Sequence, residues 1–99
     1  MKVILGKAVA SSKNEQYPSG EIHAVLMFVK SDNNNKAQKT AKIKIQKKGW
    51  ETVNMSRIGA VNLDNFKPEN DEIEKAFNSA IENGFGLLIY PDIESNLNL

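Results

Sequence analysis

Apolar and polar positions alternate along this chain in rhythms that change about every ten residues. Lys2-Val3-Ile4-Leu5-Gly6-Lys7-Ala8-Val9-Ala10 is dense in β-branched and small apolar residues and stops at Ser11-Ser12-Lys13-Asn14, which predicts a first strand. A polar loop follows through Asn14-Glu15-Gln16 and Pro18-Ser19-Gly20. From Glu21 to Lys30 the pattern returns as an almost unbroken apolar strand, so the two form an antiparallel hairpin with a long connection. Trp50 to Arg57 reads as a third strand with Val53 and Met55 on one face, and 58–63 as a bend or a short extension leading into a loop. Phe85 to Tyr90 is apolar on both parities, which suits a central strand buried on both sides, and Pro91-Asp92 is expected to stop it.

The segment 36–50, Lys-Ala-Gln-Lys-Thr-Ala-Lys-Ile-Lys-Ile-Gln-Lys-Lys-Gly-Trp, satisfies two periods at once. With period two, Ala41, Ile43 and Ile45 alternate with Lys42, Lys44 and Gln46. With period 3.6, Ala37, Ala41 and Ile45 share a face and Gly49 stands where a helix ends. The two conflict at Ile43. Lys, Ala and Gln dominate the segment, and lysines near its end complement the carbonyl end of a helix dipole, so the helix is preferred. A second helix is plainer. Ile73, Phe77, Ala80 and Ile81, with Ala76 beside them, make an apolar stripe, and Glu72, Glu74, Lys75, Asn78 and Glu82 face outward. Asp71 with Glu74 three residues later has the form of a capping box, and Gly84 ends the element.

The order ββαβαβ predicts an α+β fold. A four-stranded, mainly antiparallel sheet covered on one face by two helices, a two-layer sandwich, buries the apolar positions. At 99 residues the chain is sized for one domain, 1–99, with 93–99 expected as a loose tail.

Charge changes the picture. The net is +1, but residues 1–49 hold ten lysines against three acidic residues, whereas 50–99 hold three cations against nine acids. A fold that keeps the halves on different faces turns this asymmetry into an acidic surface and a basic one. No apolar run approaches the length of a membrane span, and Met1 to Gly6 is too short for the apolar core of a secretory signal, so a cytoplasmic protein is expected.

Catalytic and metal chemistry find little to work with. His23, the one histidine, lies inside an apolar strand, and no cysteine is present to make a thiol nucleophile or a thiolate site. Asp71-Glu72-Ile73-Glu74 lacks the spacing and central glycine of a calcium loop. Gly84-Phe85-Gly86 follows a helix, the reverse of the order that cradles phosphate. The expectation is a protein without enzymatic activity, cofactor or small-molecule substrate. Lys36, Lys39, Lys42, Lys44, Lys47 and Lys48 would spread around the outward side of a helix with no arginine or aromatic among them, which disfavours nucleic acid. They are still the candidates for a weak anionic-surface or nucleic-acid site. The acidic residues Glu69, Asp71, Glu72, Glu74, Glu82, Asp92 and Glu94 are the better candidates for an organised surface that meets a protein partner. Trp50, straight after a helix-ending glycine, is expected in the core.

The pattern Ala41…Gly49-Trp50 followed by a strand, and Ala76…Ala80…Gly84-Phe85 followed by Leu87-Leu88-Ile89-Tyr90, resembles that of small bacterial α+β proteins, among them immunity proteins of contact-dependent growth inhibition and polymorphic toxin systems. The resemblance implies a cytoplasmic protein that binds one toxin domain and blocks its active site or substrate access. Such proteins bind through surfaces that vary with each toxin, so no residue roles come with the resemblance. Nuclease toxins of these systems are commonly basic, which would engage the acidic second half.

Overall fold

The computed structural model describes residues 1–97. Four strands and two helices follow one another as β1 (Lys2–Ala10), β2 (Ile22–Val29), α1 (Asn34–Lys47), β3 (Trp50–Ala60), α2 (Asp71–Asn83) and β4 (Phe85–Glu94). The strands form one sheet in the order β3-β1-β2-β4, with every neighbouring pair antiparallel. The expected α+β class, element order and hairpin are all present.

The helices do not share a face. Alternation along a strand sends successive side chains to opposite sides of the sheet, and in β2 both sides are covered. Val25, Met27 and Val29 pack with Ile4, Ala8 and Ala10 of β1 and with Ala37, Ala41 and Ile45 of α1. Leu26 and Phe28, between them in sequence, pack with Ala76, Phe77 and Ala80 of α2. Leu87 and Ile89 join the first group and Leu88 the second. The expected two-layer sandwich is therefore corrected to a helix on each side of the sheet. The physical reason lies in β2 and β4, which are apolar on both parities and need covering twice.

The segment 34–47 is a helix, and the conflict at Ile43 resolves accordingly: Ala37, Ala41 and Ile45 are completely buried, whereas Ile43 is 55% exposed. Asn33 caps the start, its side chain accepting from the Lys36 amide at 3.0 Å. Gly49, at φ +95°, takes the left-handed turn out of it. In α2 the cap is Asn70, whose Oδ1 accepts from the Ile73 amide at 2.9 Å. Asp71 is thus the first helical residue, and the capping box read from Asp71 and Glu74 gives way to a simple Asn cap. Ile81, expected in the buried stripe, is 40% exposed, because the helix turns Ala76 and Ala80 onto the sheet.

Two irregularities shift the strands from their expected ends. Between the pairs Leu5–Arg57 and Gly6–Met55, β3 carries one extra residue, Ser56. That bulge flips the parity, so Ile58 joins Val53 and Met55 on the α1 side and the strand runs on to Ala60. In β4, Val25 pairs with Ile89 but His23 with Ile93, so Pro91 sits within a bulge rather than ending the strand. Ile93 and Glu94 pair with β2, and Asn54 Nδ2 donates to the Leu97 carbonyl at 2.8 Å. The expected loose tail 93–99 is thus sheet up to Glu94 and tied down at Leu97; 98–99 lie outside the described residues.

Candidate functional site

Placing the helices on opposite faces separates their charges. All six lysines from Lys36 to Lys48 are exposed on and just after α1, which contains no acidic residue. On the other side of the sheet, α2 carries Asp71, Glu72 and Glu74 in its first turn and Glu82 near its end, all exposed, with Lys75 as its one cation. The charge asymmetry of the sequence thus becomes an asymmetry across the sheet, although the strands themselves interleave.

The seven candidate acidic residues are not all brought together. Glu69, Asp71, Glu72 and Glu74 are exposed around the start of α2, and the positive end of the helix dipole favours negative charge there. No salt bridge among the described residues holds any of these four. Glu82 lies about three turns further along, roughly 15 Å away. Asp92 is exposed in the β4 bulge. Glu94 does not belong to an open acidic face, because its carboxylate lies 3.1 Å from Lys7 Nζ in a partly buried pair.

His23 is wholly buried. Nδ1 lies 2.8 Å from the carbonyl oxygen of Tyr90, which can only accept, so Nδ1 carries the proton and donates. Nε2 is 2.9 Å from Glu21 Oε1, and the ring is packed against Tyr17, centroids 4.1 Å apart, and edge-on to Trp50. Tyr90 is released from regular pairing by the bulge, and His23 supplies the donor that its carbonyl needs. With both nitrogens engaged and no exposed surface, the ring cannot reach a substrate from this position; its role is to hold the bulge. Replacing His23 with Leu keeps the bulk and leaves the Tyr90 carbonyl without its donor. The expected loss is about 1 kcal/mol, the low end for an acceptor left without its donor because the bond is only partly buried, read from urea denaturation. Trp50, 3% exposed, is a core residue as expected.

A groove of about 870 Å³ follows the outer edge of β4. Its floor is Leu87, Leu88 and Ile89. Tyr17 and Trp50 wall one side, and Ala76 and Ser79 of α2 the other. The expected central strand is corrected here: β4 is an edge strand, apolar on both parities because a helix packs on each face of the sheet, and the groove depends on that edge. Among the described residues no group of three or more His, Asp or Glu is placed to hold a metal ion, and no helix is long and apolar enough to cross a membrane.

Comparison of the chain with protein-family models, with curated proteins and with solved structures finds no match.

Proposed function

We propose that this chain is a non-enzymatic protein-binding module whose acidic α2 face engages a basic protein partner, most concretely as an immunity protein that neutralises a cognate bacterial toxin domain. The observation that carries the reading is the placement of the two charged helices on opposite faces of the sheet: the exposed carboxylates at the start of α2 lie on one face and the lysines of α1 on the other, the two meeting at the β4 groove, where Glu72 shares the lining with Lys47 and Lys48. A basic surface approaching the outer face of α2, away from the β4 groove, meets its carboxylates before the lysines of α1, and that arrangement favours both rate and orientation of encounter. The buried histidine supports the same reading, since the side chain best suited to acid-base chemistry is committed to structure. The toxin partner comes from the pattern resemblance of the two alanine-glycine-aromatic segments.

Co-expression with the product of the adjacent upstream gene tests this. The expected outcome is a stable complex on gel filtration and protection of cells from growth arrest by that product. Absence of both would overturn the immunity reading.

A further inference from the structure

We propose that the free edge of β4 is a second binding site, which accepts an extended acidic segment of a partner protein as a fifth strand. In an antiparallel ladder, directly opposed residues alternate between pairs that exchange hydrogen bonds and pairs that do not. The Lys30 amide donates to the Gly84 carbonyl at 3.0 Å, which marks that opposed pair as bonded. Phe28–Gly86 and Leu26–Leu88 follow it at two-residue intervals. Phe85, Leu87 and Ile89 therefore turn their amides and carbonyls away from β2, toward the open edge.

Both ends of that edge are closed. The Phe85 carbonyl accepts from Ser79 Oγ at 3.1 Å, the Tyr90 carbonyl is held by His23, and Pro91 has no amide hydrogen. What remains is a window at Leu87 and Ile89, with two donors and two acceptors facing outward. The other edge of the sheet, β3, exposes Glu51, Thr52, Asn54, Ser56 and Arg57, the polar and charged residues that discourage strand addition. The β4 window has no such guard; its side chains are Leu87, Leu88 and Ile89, half-buried along the floor of the groove.

The rim of the groove selects the occupant. Lys13, Lys47, Lys48 and Lys75 stand around it against Glu15 and Glu72, a cationic excess that favours an acidic strand. A second copy of the chain fits poorly. It presents the same apolar β4 strand with the same cationic excess on its rim, and so offers no acidic strand to these lysines. Main-chain bonds at Leu87 and Ile89 would supply affinity and the lysines would supply preference, the division of labour found where peptides add to sheet edges. This site adjoins the acidic α2 face and shares Glu72 with it, but it rests on the β4 edge and does not require that face to bind a partner.

The test uses the full chain and two fluorescently labelled short peptides, one alternating glutamate with valine and one alternating lysine with valine. Anisotropy should show saturable binding of the glutamate peptide, with amide NMR shifts concentrated at Leu87 and Ile89. Lys47→Glu with Lys48→Glu, both exposed, should weaken that binding about tenfold or more. Leu87→Pro removes an outward donor without touching a bond to β2 and should weaken it similarly. Equal binding of the lysine peptide would overturn the proposal, as would no saturable binding, or glutamate-peptide binding unchanged by the lysine reversal. Self-association through β4 in sedimentation equilibrium, abolished by Leu87→Pro, would assign the edge to a second copy and equally overturn it.

Discussion

Gly86→Ala should unfold this protein well below the melting temperature of the parent chain. Gly86 pairs with Phe28 in the sheet and lies directly beneath α2. A Cβ built there would overlap the carbonyl oxygen of Ala76 and lie 2.6 Å from its carbon, both main-chain atoms of a helix that cannot yield locally. The whole of α2 would have to lift, loosening Ala76, Phe77 and Ala80, which are now buried. Overpacking against backbone belongs at the top of its usual range, about 3 kcal/mol or more. For a domain of this size that is a fall of roughly 12–24 °C in Tm. Gly59→Ala is the matched control, since its Cβ would make only an ordinary contact of 3.7 Å with Val3 Cγ1. Thermal unfolding followed by circular dichroism separates the two. A loss below about 1 kcal/mol for Gly86→Ala would mean that α2 is not seated on β4 as described.

Much of the architecture was legible because local signals agreed with the tertiary outcome. The 3.6-residue spacing of Ala37, Ala41 and Ile45, with Gly49 behind them, prevailed over the competing alternation because only one large apolar residue, Ile43, had to be left in solvent. The apolar runs in β2 and β4 announced strands, and their lack of alternation also carried the information that both faces would be covered. Taking the two helices as a single layer missed that implication. The bulges were not legible in the same way. Ser56 is an ordinary strand residue, and only the resumption of apolar positions at Ile58, on the opposite parity, marks the slip. Pro91 looked like a terminator because proline cannot donate to a ladder, yet on an edge strand the missing donor costs nothing on the open side.

The candidate surfaces were legible as residues but not as places. The acidic and basic halves could be counted from the sequence, whereas their separation depended on which face each helix chose. Glu94 shows the limit of counting: it read as one more exposed acid, and its partner Lys7 comes from the opposite end of the chain. The burial of His23 against Glu21, Tyr17 and the Tyr90 carbonyl likewise rests on contacts across β2 and β4. The β4 groove exists because strand order puts the most apolar unguarded strand at an edge, and strand order has no local signature.

If the acidic start of α2 holds a basic partner, reversing its charge should be the most damaging surface change available. Glu72 and Glu74 are exposed, so Glu72→Lys combined with Glu74→Lys leaves the packing of Ala76, Phe77 and Ala80 untouched. Placing cations near the positive end of the helix dipole costs about 0.3–1 kcal/mol each, which the fold should tolerate. Close interfacial charge pairs are worth a few kcal/mol, and reversal replaces attraction by repulsion, so a rise in Kd of about two to three orders of magnitude is expected. The decisive measurement is isothermal titration of the adjacent-gene product into three proteins: the parent chain, the α2 double reversal, and a Lys42→Glu, Lys44→Glu double reversal on α1. The account predicts that the α2 variant loses two to three orders of magnitude in affinity while the α1 variant stays within about tenfold of the parent. Unchanged affinity for a folded α2 variant, with the loss falling on the α1 variant instead, would contradict it.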